Sequence, residues 1–367
     1  MKRVYILTNG PGELWDWARP LAHELNQRGI RPVLWLLPCQ YASGMERACA
    51  KSLPFYDVIG PYGWAKTFYE LRRAKDVGLI VQLGGDLMFG RFLSKATNAE
   101  LFCYTYGKKK GLSSCSRVFT AYEVMARNIE SDVVYPIVIG DLVADSLKLD
   151  LEQRREASLP MEDSSSFKVA FFPGSRPAIR RRALPFLCEV YEHLSSILDA
   201  DVVTLLSPFS FDEEVKIWED AGLNPSREST PVALKGVDLA LTQPGTNTLE
   251  LLYLKIPTLV AVPYVFLEDI PFGGLKRFTF RLPWVKNRLL KTFSENKKML
   301  SWPNIIMGKE LIPELVGDYA PRQIAEKMAN YLCDNSWLKN ISDLMSKFSS
   351  VQGASRRLTE EIIGCLP

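Results

Sequence analysis

The stretch AFFPGSRPAIRRR, residues 170–182, decides how the chain is read. Three apolar positions, Ala170, Phe171 and Phe172, end at Pro173-Gly174-Ser175-Arg176, and Arg180, Arg181 and Arg182 follow soon after. An apolar run of this length, closed by proline and glycine, predicts a buried strand, and Pro177 suits the first position of a helix. The plain account is a strand–turn–helix joint with solvated basic residues. The sharper account is a cradle for a phosphate-bearing ligand: Gly174 allows close backbone approach, Ser175 offers a hydroxyl, and Arg176 offers a planar fork for phosphate oxygens. A helix starting at Pro177 adds the positive end of its dipole.

Outward from this point the same rhythm recurs. Before it lie RVYILT (3–8), PVLWLLP (32–38), GLIVQLGG (78–85), LFCYTYG (101–107), RVFTAY (117–122) and VVYPIVIG (133–140). After it lie DVVTLLSP (201–208), VDLALTQPG (237–245) and PTLVAVPY (257–264). Between them are amphipathic segments such as LWDWARPLAHELNQRG (14–29), closed by Gly29. Strands alternating with helices predict parallel sheets covered on both faces. The polar tract EQRREASLPMEDSSSF (152–167) interrupts the alternation, so the expected division is a doubly wound domain over 1–150, a linker over 151–167, and a second such domain over 168–330.

The 367 residues are enough for two cores. A hydrophobic content of 47% with 24% charged residues describes an ordinary globular chain. A formal net charge of +3 and the lack of any nucleic-acid signature argue against a nucleic-acid partner. Two histidines, His23 and His193, make a histidine-rich metal site unexpected, and seven cysteines without CxxC spacing suit reduced thiols in the cytosol. The apolar run at the N-terminus turns into Asn9-Gly10-Pro11-Gly12 too early for a signal peptide, and no run of about 20 apolar residues predicts a membrane-spanning helix.

Two further segments bear on the ligand. In LALTQPGTNTLELLYLKIP (239–257), a strand runs into Gln243-Pro244-Gly245-Thr246, whose amides and hydroxyls can meet a diphosphate at the next helix. Glu250 stands four residues after Thr246, on the same helix side, where a carboxylate can accept from the two hydroxyls of a ribose. Equally, Thr246 can be a helix cap and Glu250 a first-turn acid. In SWPNIIMGKELIPEL (301–315), Asn304 is both donor and acceptor and Lys309 brings charge beside a turn, although a loop next to a helix explains these as well.

PGSR (173–176), GTNTLE (245–250) and PNIIMGKELIPEL (303–315), in this order, together with VIGDLVADSL (138–147) before them, resemble the lipid-A-disaccharide synthase family of glycosyltransferases. The resemblance covers about 138–330 well and the N-terminal half only in outline. It implies a GT-B fold, two Rossmann-like doubly wound domains facing across a cleft. It further implies inverting transfer of a monosaccharide from a UDP-sugar to an acylated, lipid-linked sugar acceptor, without a metal or other cofactor. Carried over, Gly174, Ser175 and Arg176 hold the diphosphate with help from Gly245 and Thr246, and Glu250 holds the ribose. Asn304 and Lys309 lie beside the nucleotide or sugar; arginine is usual where Lys309 stands, so a bidentate contact becomes a point charge. VIGDLVADSL lies between the domains, and residues 331–367 are implied to be helices packing back across the domain junction, as the fold type has them. A homodimer and work at the inner membrane face are also implied.

Inversion by direct displacement needs a base for the acceptor hydroxyl, and a carboxylate is the usual choice. Asp86 in VQLGGDLMFG (81–90) is the expected base, against a plain capping role, and Gly84 and Gly85 precede it where another acid is frequent in the family. Glu13 in NGPGELWDW (9–17) is the competitor, with Gly10 and Gly12 expected to admit acceptor or donor closely.

PFGGLKRFTFRLPWVKNRLLKTFSENKK (271–298) differs from the rest of the chain. Its eight basic residues, including Lys276, Arg277, Arg281, Lys286 and Arg288, face one acid, Glu295, and Phe280, Trp284 and other apolar residues are interleaved. That mixture suits an element lying in an anionic bilayer interface, or alternatively a packed helix pair with a solvated basic face. Other readings of the whole chain are a transferase with a polyprenyl-linked acceptor, a UDP-sugar epimerase, and a non-catalytic nucleotide-sugar-binding protein at the membrane. A dehydrogenase is disfavoured because NGPGEL lacks the third glycine of the dinucleotide fingerprint.

Overall fold

A computed structural model describes residues 2–39, 42–154, 166–263, 299–348 and 352–366. The chain divides into two compact units, Met1–Glu156 with Ser350–Pro367, and Ala157–Ser349. Most of the tract expected as a linker, and all of 271–298 with its basic and aromatic residues, lie outside the described residues.

The first unit is built on seven strands: β1 (Arg3–Thr8), β2 (Val33–Leu36), β3 (Asp57–Ile59), β4 (Val77–Leu83), β5 (Glu100–Tyr104), β6 (Arg117–Thr120) and β7 (Ile137–Val138). Their order is β3-β2-β1-β4-β5-β6-β7, and every pairing is parallel. Val4 through Thr8 are all buried, without the alternation of a half-exposed strand, because helices cover both faces. On β5, Leu101 and Cys103 lie on the face that carries the helix Met88–Thr97, with Phe89 and Leu93. Tyr104, next along and pointing the other way, meets Trp17 edge-on at 5.1 Å. There the helices Arg19–Gln27, Leu142–Arg154 and Ala354–Cys365 pack together.

The second unit has six strands: β8 (Phe167–Phe172), β9 (Ala200–Leu205), β10 (Pro225–Ser226), β11 (Leu239–Thr242), β12 (Thr258–Pro263) and β13 (Glu314–Gly317). The order is β10-β9-β8-β11-β12-β13, again parallel throughout. Alternate residues of β8 serve opposite faces. Val169 and Phe171 pack under the helices Pro177–Ile197 and Pro321–Cys333, with Leu187, Val190, Ile324 and Met328. Ala170 and Phe172 pack with Leu251 of the helix Asn247–Leu254. The helix Asn335–Ser346 stays in this unit, and only Ala354–Cys365 returns to the first.

Candidate active site

In each unit the strand order reverses once, between β1 and β4 and between β8 and β11. At such a point the loops leaving adjacent strands turn to opposite faces and open a crevice beyond the carboxyl ends, where ligands of open α/β sheets bind. The turns after β8 and β11 fall at the second of these points, and those after β1 and β4 at the first.

In the second unit, Pro173–Arg176 follows β8 and Gln243–Thr246 follows its neighbour β11. Gly174 has φ +105°, a left-handed conformation that L side chains rarely adopt, so the turn depends on glycine here. Ser175 is exposed and Arg176 half-buried at the start of the 21-residue helix Pro177–Ile197. Across the switch, Thr246 occupies the N-cap position of Asn247–Leu254 but makes no side-chain capping bond. The bond from Thr248 Oγ1 to the Gly245 carbonyl at 2.7 Å holds the turn instead. Glu250 is half-buried, and Oε2 accepts from Thr230 Oγ1 at 2.7 Å. Thr230, after β10, orients this carboxylate, and nothing local in the sequence connects the two.

Asn304 differs from expectation. It is 1% exposed, and its amide donates to the Ile312 carbonyl and to Glu314 Oε1, both at 2.8 Å. Its Oδ1 accepts from the Leu311 and Ile312 amides at 2.7 and 3.0 Å. All four hydrogen-bonding positions of the side chain are used inside the protein, so Asn304 is a strut rather than a ligand contact. Glu314 shares this role by accepting from Ser301 N and Oγ at the start of the helix Trp302–Met307. Lys309 is exposed on the turn after Gly308.

In the first unit, the expected turn through Gly12 is helical: helical backbone begins at Pro11, Gly12 has φ −64° and ψ −48°, and Glu13–Ala18 forms a π-helical turn. π-turns inside helices are frequent at functional sites. The room that Gly10 leaves is occupied by Glu13, since a Cβ on Gly10 would collide with Glu13 Oε2. A Cβ on Gly84 would lie 2.9 Å from Glu13 Cγ. Gly10 and Gly84 therefore form a slot for the Glu13 side chain, and the β1 and β4 loops meet across it. Gly84 and Gly85 both have positive φ, +70° and +63°, so this loop requires glycine at both positions.

Asp86 is exposed beside the same slot, and its Oδ1 accepts from Met88 N at 2.9 Å, at the start of the helix Met88–Thr97. Gln82, missed in the sequence, shapes this loop. Fully buried, it donates to the carbonyls of Gly84 and Asp86 at 3.2 and 2.7 Å and accepts from Gly90 N at 3.1 Å. Lys109 Nζ donates to the Gly85 carbonyl at 2.8 Å.

VIGDLVADSL, expected between the domains, belongs to the first unit. Asp141, fully buried, accepts from Tyr106 Oη at 2.5 Å and from Val143 N at 3.0 Å. Burial, with the negative charge of Asp141 beside it, pushes the Tyr104 hydroxyl well above the usual tyrosine range. Asp145 accepts from Gly353 N and from Ser355 N and Oγ, at 2.6, 2.7 and 2.7 Å, and so caps the helix Ala354–Cys365. Ser146 and Asp150 hold the buried Arg19 guanidinium at 2.6 Å each. These residues are scaffold, and the motif's polar character comes from satisfying one another.

Among the described residues no group of histidine, cysteine and acidic side chains is arranged to hold a metal ion, and no helix is long and apolar enough to cross a membrane.

A family model described as lipid-A-disaccharide synthetase matches residues 132–364. The chain belongs to the lipid-A-disaccharide synthetase family. A lipid-A-disaccharide synthase from Azotobacter vinelandii is 28% identical over 261 residues, covering 68% of this chain and 63% of that protein. Matches to the curated relatives span about half to under two thirds of their length. Among solved structures, MurG from Acinetobacter baumannii aligns over 99% of this chain and 100% of its own, with 13% identity and a TM-score of 0.57. The UDP-GlcNAc 2-epimerase from Neisseria meningitidis, bound to UDP-GlcNAc, aligns over the same shares, with 13% identity and a TM-score of 0.60. At such identities the likeness is one of fold: a GT-B architecture of two Rossmann-like, doubly wound units.

Proposed function

We propose that this chain transfers a monosaccharide from a UDP-sugar to an acylated, lipid-linked sugar, inverting the anomeric carbon, in the formation of a lipid A disaccharide or a related glycolipid. The observation that carries this is the meeting of PGSR and QPGTNTLE at one switch point, between β8 and β11. There, backbone amides at two helix N-termini and the Arg176 guanidinium meet the diphosphate, while Glu250, oriented by Thr230, accepts from the ribose hydroxyls. Lys309, exposed, adds a point charge towards the donor.

At the first unit's switch point the acceptor hydroxyl gives its proton to Asp86 as its oxygen attacks the anomeric carbon. The carbon–oxygen bond to UDP breaks, and the electron pair leaves with UDP. Arg176 and the helix dipoles stabilise that departing charge, in a reading that invokes no metal. The hydrogen bond from Met88 N fixes one oxygen of Asp86, and Glu13, seated against Gly10 and Gly84, shapes the floor beside it. The basic, aromatic 271–298 segment brings the protein to the anionic cytoplasmic face of the inner membrane, where the acceptor resides; a homodimer is compatible with the family.

Incubation with a panel of UDP-sugars and extracted membrane lipids, read by mass spectrometry, tests the reading. A lipid gaining one hexose unit is the expected product. A UDP-sugar isomerised without acceptor would make the chain an epimerase, and nucleotide binding without product would make it a non-catalytic binding protein.

A further inference from the structure

The three arginines after the PGSR turn do not share one role. Arg181 and Arg182 are exposed, but Arg180 has no exposed side-chain surface at all. Its Nε and Nη2 donate to Glu214 Oε1 and Oε2 at 2.6 and 2.7 Å, a two-pronged pair with the first turn of the helix Asp212–Asp220. Its Nη1 donates to the Ser175 carbonyl at 2.7 Å and lies 3.5 Å from the Gly174 carbonyl, the outer limit of a hydrogen bond.

A buried guanidinium gives up its hydration at a large cost, and an apolar pair of similar size would serve packing at least as well. The third prong, into the turn, is what such a pair would lose. A carbonyl and the N–H of the same peptide unit point in opposite directions across a trans peptide plane. With the Ser175 carbonyl turned inward onto Arg180, the Arg176 N–H is directed away from the buried guanidinium; the weaker contact does the same for the Ser175 N–H. Two successive amides so directed, after a glycine in the left-handed region, form the concave donor arrangement that binds anions. The Arg180 charge is matched by Glu214, so its part at the turn is to orient the peptide units rather than to add net charge.

We infer that Arg180 is a positioning residue for the donor diphosphate: locked by Glu214, it holds the Ser175 carbonyl inward and thereby presents the Ser175 and Arg176 amides to the phosphates. The inference rests on the diphosphate reading of this turn.

The test is UDP binding by calorimetry and donor KM in the full-length protein, beside thermal midpoints. Arg180→Met alone leaves the half-buried Glu214 unpaired and lowers the midpoint, so the informative variant is Arg180→Met with Glu214→Met, which removes both charges. Arg180→Lys is the second variant: it keeps the charge opposite Glu214 but cannot span both the carboxylate and the carbonyl. Each is expected to keep a wild-type midpoint within a few degrees, to weaken UDP binding about tenfold, and to raise donor KM by a similar factor while acceptor KM stays unchanged. UDP affinity equal to wild type in whichever of the two folds would overturn the inference. A wild-type protein without UDP affinity would instead overturn the diphosphate reading itself, and the two failures are distinguishable because the wild type is measured first.

Discussion

Asp86 and Glu250 each carry a prediction of their own. Asp86→Asn keeps an oxygen for the Met88 amide but cannot take a proton, so turnover should fall roughly 10²–10⁴-fold with UDP affinity intact. Retained turnover in a steady-state assay would move the base to Glu13, which shares the switch point. Glu250→Ala removes a charged acceptor that Thr230 holds in place, at a cost of about 1.5–3 kcal/mol, or roughly ten- to a hundredfold in Kd for UDP. The PGSR and GTNTLE segments were legible in the sequence as strand-to-helix turns, because proline and glycine close the apolar runs before them. The roles of Asn304 and Arg180 were not. A polar side chain looks the same in the sequence whether it meets a ligand or saturates a buried loop, and only partners such as Ile312, Glu314 and Ser175 distinguish the two.

At the scale of elements, the long apolar strands were readable from their unbroken runs, which parallel sheets covered on both faces demand. β3 and β10 were not, because strands of two or three residues carry too little periodicity, and neither was β13, whose ELVG opens on a glutamate and closes on a glycine. Nor was VVYPIVIG wholly a strand: only Ile137 and Val138 pair with β6, while Val133 and Tyr135 are 69% and 71% exposed. The turn from Gly308 to Glu314 depends on Asn304 in the same sense that a strand depends on its core. Asn304→Ala should cost about 3 kcal/mol of stability, since it orphans two buried amides and a carbonyl, and should show as a lowered urea midpoint. An unchanged midpoint would return Asn304 to the ligand.

For the whole molecule, the alternation of strands and helices pointed to two doubly wound units, and the chain follows that plan. A return of the C-terminal helices was expected from the fold type alone; which helix joins the first unit could not be read, because the bonds joining Asp145 to Gly353 and Ser355 span over 200 positions of sequence. Membrane attachment is a prediction at this scale. Replacing Lys276, Arg277, Arg281, Lys286 and Arg288 by glutamine should release the protein from anionic vesicles in a sedimentation assay, with about 1 kcal/mol lost per charge. Binding unchanged by these substitutions would make 271–298 a packed element instead. The account as a whole turns on the nucleotide. Titration of UDP into the full-length protein by isothermal calorimetry should give saturable heat at one site per chain, diminished in Glu250→Ala; no heat from the wild-type protein would contradict it.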